Sequence, residues 1–317
     1  MTTPKKIKRF LFSVFKIKIF NLPVTFLYSL IKHIAPSKIK EFFYRFPVNG
    51  NVRIHINGSR PFVMVNDGSD IIANEIYWKG ISAYEPQTEN IVLKLLHDTK
   101  VFFDIGSNTG LYSLIAASQT HNIQVHAFEP VDSAYDFLST RIKTSGLNNI
   151  TANKIALSDF DGESTFNLQM TGSAIPLGSS LRHDMGDQEN KRVIKVKTMK
   201  LDTYAEQTGV SKIDFMKIDT EGTENKVLEG GKNSIDKFRP VFICEVLSNT
   251  NLEEKLHSFM DSRDYNYYFV QDNSLEQVER IVGDPYVVSN YLFVPAEKAS
   301  QLLNDITVTK IKEKVFN

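Results

Sequence analysis

Cysteine is almost absent from this sequence, in which Cys244 is the single example among 317 residues. One thiol excludes an internal disulfide, disfavours a cysteine-rich zinc site and suits a reducing compartment. The seven histidines are scattered without the spacing of metal ligands. We therefore expect a cytoplasmic protein.

Long apolar runs and an excess of one charge are also lacking. The longest uncharged stretch near the N-terminus, residues 19–31, is interrupted by Pro23 and is shorter than the ~18–20 residues needed to span a bilayer. Basic and acidic residues number 37 each, so the whole chain carries no signal for a nucleic-acid partner. These absences predict a soluble protein that does not bind nucleic acid.

The charge is nevertheless unevenly distributed. Residues 1–46 contain ten Lys and Arg and one acid, Glu41, whereas the rest of the chain has 27 basic and 36 acidic residues. Within the basic part, apolar residues of 5–20 recur at helical spacing with lysines around them. Such a helix can make peripheral contact with an anionic membrane surface, or it can pack on the main domain with its lysines in water. The sequence leaves both interpretations open.

Pattern changes predict three segments: a basic amphipathic helical extension over residues 1–46, a β-rich lead-in over 47–80 and a larger domain over 81–317. The lead-in is predicted from alternating apolar residues and from turn signals, Asn-Gly at 49–50 and at 57–58 and the polar stretch 66–70, which indicate hairpins as far as residue 78.

From residue 100 onward, short apolar runs alternate with helical patterns. Strands are predicted at 100–105, 123–128, 150–157, 213–218 and 240–246, and helices at 85–98, 111–119, 132–146, 223–232 and 252–263. This alternation is typical of an α/β fold with a mostly parallel sheet covered on both faces. Two later runs, 265–271 and 287–295, have no helical pattern between them and are expected to form an antiparallel pair at the sheet edge.

A polar, glycine-rich segment at residues 170–192 interrupts this alternation. Polar loops of this length inside a compact domain tend to be functional or disordered. A mobile lid and an ordinary surface excursion are the two interpretations, and the position of the segment favours the lid. His183 in this loop would become a candidate base if the loop closed, although a solvated histidine is the simpler interpretation.

The stretch FFDIGSNTG, residues 102–110, carries the first predicted strand into a loop that contains Gly106 and Gly110. Ligands of open parallel sheets bind at the carboxyl ends of the strands, so a binding site is expected here. Glycines let the backbone turn tightly and approach a ligand. The loop has Asn108 where the dinucleotide fingerprint requires another glycine, and the chain has no phosphate-loop motif.

Two acids narrow the choice of ligand. Glu129 ends the second predicted strand, where a carboxylate can accept hydrogen bonds from ribose hydroxyls; this indicates a nucleoside without saying which one. Asp104 ends the first strand. A carboxylate there can hold the amino group of S-adenosylmethionine (AdoMet), but it would repel the pyrophosphate of NAD.

The stretches FFDIGSNTG, HAFEP, NKIALSDFDG, IDFMKIDTEGTENKVLEGG and RPVFICEV together resemble the FkbM family of AdoMet-dependent methyltransferases over about residues 75–295. Ser107 replaces the usual alanine of the loop. The resemblance implies the class I methyltransferase fold, a Rossmann-like seven-stranded sheet whose last strand is antiparallel. It also implies AdoMet contacts at Asp104, Gly106, Asn108, Gly110 and Glu129, with Asp159 or the backbone near Leu157 at the adenine.

The fourth predicted strand ends in KIDTEGTE, and the fifth ends at Glu245. Both ends flank the methyl donor in this fold, so Asp219, Glu221 and Glu245 are the candidate catalytic carboxylates that could accept an alcohol proton. Lys217 shares a strand face with Asp219, which would place an ammonium beside that carboxylate. Glu224 is expected to serve the dipole of the following helix instead.

The function predicted from the sequence is AdoMet-dependent O-methylation of a hydroxyl on a sugar, a glycolipid or a secondary metabolite. The alternatives are a nucleoside-binding scaffold without turnover and an NAD-dependent oxidoreductase. The three candidate carboxylates could also hold a hard divalent cation, although nothing in their spacing requires one. The partner is expected to be a small-molecule or glycan acceptor. The location is expected to be the cytoplasm, including its membrane surface if the basic helix binds lipid.

Overall fold

The computed structural model describes residues 18–31, 34–169, 181, 191–246, 251–282 and 289–310. Its helices are α1 (Lys18–Ile31), α2 (Ser37–Phe43), α3 (Ile71–Lys79), α4 (Pro86–Leu96), α5 (Leu111–Gln119), α6 (Asp132–Ser145), α7 (Leu201–Thr208), α8 (Glu224–Gly230), α9 (Lys232–Phe238), α10 (Leu252–Met260) and α11 (Ala296–Leu302), with a 3-10 turn at Ile81–Ala83. Its strands are β1 (Asn49–Ile54), β2 (Phe62–Asp67), β3 (Val101–Ile105), β4 (Gln124–Phe128), β5 (Ile150–Asn153), β6 (Ala156–Leu157), β7 (Gly162–Gln169), β8 (Lys191–Met199), β9 (Phe215–Ile218), β10 (Val241–Val246), β11 (Tyr265–Val270), β12 (Ser274–Val278), β13 (Ser289–Pro295) and β14 (Thr307–Lys310).

The main sheet within these ranges has the strand order β5-β4-β3-β9-β10-β13-β11-β12-β14. The five strands from β5 to β10 are mutually parallel, and β13 runs antiparallel to both of its neighbours. Every residue of β9 and β10 is buried, which explains why these two strands appear in the sequence as almost continuous apolar runs. The predicted α/β class with a mostly parallel sheet is confirmed. Among the seven strands from β5 to β11 in this order, β13 comes last along the chain, and it is the antiparallel strand, as predicted.

The C-terminal end of this sheet differs from the prediction in two respects. Strands β11 and β13 do pair antiparallel, but they do not form the edge, because β12 and β14 extend the sheet beyond them. The sequence pattern missed these two outer strands. Only Leu275 and Val278 of β12 are buried, and β14 is four residues long, so neither strand shows an apolar run.

The lead-in contains one hairpin rather than several. Strands β1 and β2 pair antiparallel, with Asn49 opposite Asp67 and Ile54 opposite Phe62. The prediction of further hairpins was wrong for Ile71–Lys79, which is a helix. The carboxylate of Asp70 accepts hydrogen bonds from the first free backbone N–H groups of this helix, so the polar stretch that resembled a hairpin turn is a helix cap.

The predicted strand at 150–157 is divided between two sheets. Residues 150–153 form β5 of the main sheet, whereas Ala156–Leu157 forms β6, which pairs with β8 in a small sheet of order β6-β8-β7. Leu181 packs with apolar residues of this small sheet, including Phe166 and Leu168. The rest of the proposed lid, including His183, lies outside the described residues.

A buried arginine ties the lead-in to the main domain. Arg141 of α6 has no exposed surface, and its guanidinium donates to the Asp70 carboxylate at 2.6 Å. The same group donates to the carbonyls of Val65 and Thr109, and the Thr109 hydroxyl donates to Asp70. A buried pair survives only when such extra hydrogen bonds satisfy both partners. The network therefore joins β2, the cap of α3 and the glycine loop into one unit.

Helices α1 and α2 leave much apolar surface in contact with solvent. Tyr28 anchors α1, because its ring packs 4.7 Å from that of Trp78 and its hydroxyl donates to the Trp78 carbonyl. Most of the exposed large apolar side chains in the described ranges are nevertheless found here, at Leu22, Phe26, Leu27, Leu30, Ile34, Ile39 and Phe42. None of the helices described combines the length and apolarity needed to cross a bilayer. The predicted amphipathic helix lies largely before residue 18, outside the described residues.

Candidate functional site

A cleft opens at the carboxyl ends of β3, β4 and β9, where the sheet geometry places ligands. The glycine loop forms its floor, and the residues after β4 and the stretch Ile155–Leu157 form one wall. The turn after β9 forms the opposite end. Tyr84, Tyr112, Phe166 and Leu181 contribute apolar and aromatic surface to the lining.

The two glycines of the loop are required by close contacts inside the protein. Gly106 has φ +79°, and a Cβ atom there would lie 1.9 Å from the backbone oxygen of Asp219. Gly110 has φ +89°, and its Cβ would lie 2.4 Å from Leu138 of α6. Each glycine lets the loop pass a neighbouring element that any side chain would displace. The Gly106 contact places the loop directly against the turn that carries the candidate catalytic residues.

Two polar atoms of the loop lie buried in the cleft without a hydrogen-bond partner in the described structure. They are the hydroxyl Oγ of Ser107 and the amide Oδ1 of Asn108. Burying a polar atom without a partner costs about 1–3 kcal/mol, so such atoms at a binding cleft indicate a polar ligand. The backbone of Asn108 is also left-handed, at φ +48°, a conformation that asparagine tolerates better than most residues.

Glu129 lines the cleft just after β4. One of its carboxylate oxygens accepts a hydrogen bond from the backbone N–H of Asn108 at 2.9 Å, and the other accepts from Val131 at 2.8 Å. Burial raises the pKa of Glu129 to about 7, although these two backbone donors favour the ionised form. The carboxylate is thus held in one orientation, with its remaining lone pairs available to hydroxyl groups.

Asp104 lies at the end of β3, almost completely buried beneath the loop. Its carboxylate accepts a hydrogen bond from the hydroxyl of Ser113 at 2.6 Å. Burial raises the pKa of Asp104 to about 6, and the nearby ammonium of Lys217 opposes that shift. Asp104 is therefore a buried acid at the cleft. Its pKa of about 6 is close enough to neutral pH for a bound cation to favour the ionised form.

The structure places Asp159 apart from the other predicted AdoMet residues. It is not among the residues that line the cleft, whereas Ile155, Ala156 and Leu157 are. Its carboxylate accepts a hydrogen bond from the Ser158 hydroxyl. Of the two adenine contacts predicted from the sequence, the geometry favours the backbone near Leu157 over the side chain of Asp159.

Lys217 and Asp219 meet at the end of β9, as their shared strand face predicted. The ammonium Nζ of Lys217 lies 2.6 Å from Oδ2 of Asp219 and 4.8 Å from the ring centroid of Tyr112. Burial opposes protonation, but Asp219, Glu85 and Asp104 together raise the pKa of Lys217 above its ordinary value. The lysine therefore remains a fixed positive charge between the two ends of the cleft.

Three carboxylates crowd together at this end. Oxygen atoms of Asp219, Glu221 and Glu245 all lie within 4.8 Å of one another. Burial and the charge of Asp219 raise the pKa of Glu221 to about 8, and burial followed by the charges of Asp219 and Glu221 raises that of Glu245 to about 10. The residues named as catalytic candidates are therefore neighbours, although they come from two different strand ends.

Glu224 differs from these three acids. Its Oε1 accepts hydrogen bonds from the backbone N–H groups of Thr220 and Gly222 and from the Thr220 hydroxyl. Burial raises its pKa to about 7. The residue closes the turn after β9 on itself, a structural role in keeping with the prediction that it does not take part in the chemistry.

Sequence patterns missed the aromatic residues beside the carboxylates. Tyr112, in the first turn of α5, donates a hydrogen bond to Glu85 at 2.9 Å, and Tyr84 also lines the cleft. The position of Tyr112 two residues after the glycine loop was the only signal available. No pattern linked Tyr84 and Glu85 to the site, because their proximity arises from the packing of α4.

Comparison with known proteins gives a family match. The family described as the methyltransferase FkbM domain matches residues 104–268, just over half of the chain. The hexuronic acid methyltransferase AglP of Haloferax volcanii is 24% identical over 159 residues, which cover 50% of this chain and 61% of that protein. The 2-O-methyltransferase NoeI of Sinorhizobium fredii is 27% identical over 173 residues, which cover 52% of this chain and 70% of that protein. The match to the first of these relatives thus spans less than two thirds of its length.

Solved structures with a related fold include a methyltransferase FkbM from Methylobacillus flagellatus. It superposes with a TM-score of 0.41 at 15% identity and covers 72% of this chain and 56% of its own.

Proposed function

This chain belongs to the FkbM methyltransferase family, and we propose on that basis that it is an AdoMet-dependent O-methyltransferase whose acceptor is a hydroxyl group of a sugar, a glycolipid or a secondary metabolite. The observation that carries the proposal is a single cleft with two unlike ends. One end offers Glu129 and unpartnered neutral polar atoms, and the other offers a cluster of carboxylates.

The first end fits AdoMet. The fixed carboxylate of Glu129 suits the two ribose hydroxyls, and the unpartnered atoms of Ser107 and Asn108 suit the polar groups of an amino acid or a ribose. Asp104 suits the positively charged amino group. Ile155–Leu157 offers apolar side chains and backbone at the position of a base.

The second end supplies what an alcohol acceptor needs. When bound, AdoMet supplies an electrophilic methyl group on a positively charged sulfur. Transfer of this group to an alcohol would break the carbon–sulfur bond, leave its electron pair on sulfur and require the hydroxyl proton to be taken up. Asp219, held by Lys217, would orient the hydroxyl and accept that proton, with Glu221 and Glu245 beside it.

The proposed acceptor class draws on the relatives. One is named for a hexuronic acid and the other for a 2-O position, so both names indicate transfer to an oxygen-rich acceptor. We propose a sugar hydroxyl as the first class to test. Tyr84, which lines the cleft and is partly exposed, offers a ring against which a sugar ring could pack.

We also propose that the N-terminal part, residues 1–46, brings the enzyme to a membrane surface. Its ten basic residues would attract anionic lipid, and the exposed apolar side chains of α1 and α2 would enter the headgroup region. Residues 47–80 and 81–317 then act together as the catalytic part, joined through Arg141.

Calorimetric titration of the full chain with AdoMet, S-adenosylhomocysteine and NADH tests the cofactor. We expect the first two ligands to bind and NADH not to bind; binding of NADH alone would favour the oxidoreductase.

Transfer of a labelled methyl group to a panel of hexuronic acids, neutral sugars and glycolipids then tests the reaction. AdoMet binding without transfer to any acceptor of the panel would favour a nucleoside-binding scaffold.

Vesicle sedimentation tests the membrane proposal. The full chain should bind vesicles containing anionic lipid, binding should weaken as salt rises, and Phe26→Glu should reduce it. A chain whose binding to anionic and neutral vesicles is equal, or whose Phe26→Glu variant binds as the wild type does, would contradict the proposal.

A further inference from the structure

The carboxylates of Asp219, Glu221 and Glu245 have the arrangement of a ligand set. One oxygen from each residue lies within 4.8 Å of the others, and no other group of three such side chains does so within the described ranges. Oxygens this close together can converge on one cation by small rotations of their side chains. The set is assembled from two adjacent strand ends, β9 and β10, and Asp219 and Glu221 open onto the cleft.

A second observation concerns Glu245 alone. Only 9% of its surface is exposed, and its Oε2 atom is buried without a hydrogen-bond partner in the described structure. Glu129 is held by two backbone N–H groups and Asp104 by the Ser113 hydroxyl. Glu224 also has a buried Oε2 without a partner, but its Oε1 accepts three hydrogen bonds from the turn after β9. A buried carboxylate oxygen without a donor is costly unless something positive faces it.

The charges nearby do not supply that partner. Lys217 donates to Oδ2 of Asp219 at 2.6 Å, so its ammonium is already committed to the first member of the set. Three carboxylates then share one ammonium. A divalent cation that displaced the protons of Glu221 and Glu245 would neutralise both carboxylates, and all-oxygen sets of this kind suit Mg²⁺ and Mn²⁺.

We propose that Asp219, Glu221 and Glu245 bind one hard divalent cation, Mg²⁺ or Mn²⁺, at the acceptor end of the cleft. Asp219 would contribute the oxygen that Lys217 does not hold, and Glu245 would contribute from beneath. Three protein oxygens leave about half of an octahedral sphere for water and substrate. Asp219 and Glu221 line the cleft, so water and substrate would reach the cation from that side.

The role of this cation rests on the proposed O-methyl transfer. Two neighbouring oxygens of a sugar acceptor can replace water on the open side, which selects acceptors that present such a pair. Coordination lowers the pKa of the bound hydroxyl. The proton then leaves to water or a carboxylate, the oxygen bonds to the methyl carbon, and the carbon–sulfur electron pair remains on sulfur.

Titration of the metal-free full chain with Mn²⁺, followed by calorimetry and by the electron paramagnetic resonance of free Mn²⁺, tests the site without requiring activity. We expect one bound ion per chain in the wild type. Glu245→Gln should weaken it by at least about 10–100-fold, the cost of losing even an outer-shell partner of a metal ligand. Glu206→Gln, which removes one exposed carboxylate of α7, is the matched control and should bind like the wild type.

Circular dichroism checks that Glu245→Gln is folded, and Glu221→Gln, at a residue that is partly exposed, provides a second test should the first variant not fold. Mn²⁺ binding that is equal in the wild type and in the folded ligand variants overturns the site. Methyl transfer that persists at full rate in excess chelator overturns the role of the cation in the reaction. AdoMet binding to the chelated protein, measured separately, shows whether the cofactor part of the proposed function holds on its own.

Discussion

The two ends of the cleft treat negative charge in opposite ways. At the glycine loop, both carboxylate oxygens of Glu129 accept hydrogen bonds from backbone N–H groups. At the turn after β9, Glu221 and Glu245 lie beside Asp219, and one ammonium serves all three. Burial, with smaller contributions from the charges of Asp104 and Asp219, raises the pKa of Glu129 to about 7 against its two backbone donors; burial and the crowded carboxylates raise those of Glu221 and Glu245 to about 8 and about 10.

The end of the cleft around Glu129 is therefore preorganised to recognise a ligand, whereas the carboxylate end is suited to binding a positive charge. Fixed donors orient Glu129 before any ligand binds, which reduces the ordering cost of binding. Glu245 has no such donor for its buried Oε2 atom. The crowded carboxylates are therefore stabilised only when a proton or a cation binds to them. The four predictions below test this contrast, in order of decreasing expected effect.

Gly106→Ala should have the largest effect, because this residue touches both ends. The new Cβ would lie 1.9 Å from the Asp219 oxygen, and the backbone is left-handed at φ +79°. We expect a loss of about 2–5 kcal/mol in the free energy of unfolding and a loss of AdoMet affinity. Thermal unfolding and calorimetry measure the two.

Gly58→Ala is the matched control, since Gly58 has φ +80° and no atom within 4 Å of its added Cβ. It should cost only about 1–2 kcal/mol, the part due to the backbone conformation, and leave AdoMet affinity unchanged. Equal destabilisation by the two substitutions would show that the contact with Asp219 is unimportant.

Asp219→Asn keeps the shape of the side chain and removes its charge at the crowded end. We expect kcat to fall about 100-fold or more while AdoMet still binds. Steady-state kinetics and calorimetry separate the two effects. Near wild-type kcat would transfer the role to Glu221 or Glu245, and loss of AdoMet binding in a folded variant would make Asp219 a cofactor residue.

Glu129→Gln removes the charge of the carboxylate that two backbone N–H groups hold and should weaken AdoMet binding by about 1.5–3 kcal/mol. In the wild type, the ionised carboxylate is the form that accepts from ribose hydroxyls. Because the pKa of Glu129 is about 7, affinity should rise about tenfold from pH 6 to pH 8 and then level off. Calorimetry at several pH values should show this rise in the wild type and a much flatter profile in Glu129→Gln, with any remaining slope below pH 7 due to Asp104. The same profile in both proteins would remove Glu129 from the ribose site.

Asp159→Ala should have the smallest effect, within about 0.5 kcal/mol in AdoMet binding, because this side chain does not line the cleft. Calorimetry would reveal a larger role. A loss of more than tenfold would restore Asp159 as an adenine contact and would mean that the cleft changes shape when the ligand binds.

The sequence predicted those parts of the molecule that depend on local pattern. The bounds of α5, Leu111–Gln119, match the prediction, and the shared strand face of Lys217 and Asp219 produced the expected ion pair. Alternating strands and helices also identified the sheet edge at which the carboxylates gather. Period and strand direction are sufficient for such inferences.

The remainder depends on contacts between distant parts of the chain. The cap made by Asp70 resembled a hairpin turn, because polar turn residues also cap helices. Nothing near Tyr84 in the sequence showed that α4 would bring it to the cleft. The grouping of Glu221 with Glu245 was predicted only through the family resemblance, since local pattern does not show that β9 and β10 are neighbours in the folded sheet.

The buried arginine also sets an order of events during synthesis. Asp70 and the Val65 carbonyl emerge from the ribosome 71 and 76 residues before Arg141, the residue that satisfies them. N-terminal elements generally fold first as a chain is made. Here the hairpin and the cap of α3 can form early, but their polar groups stay unsatisfied until α6 is complete. The lead-in is made before the main domain but therefore reaches its final structure only when α6 is complete, and the glycine loop is completed in the same step.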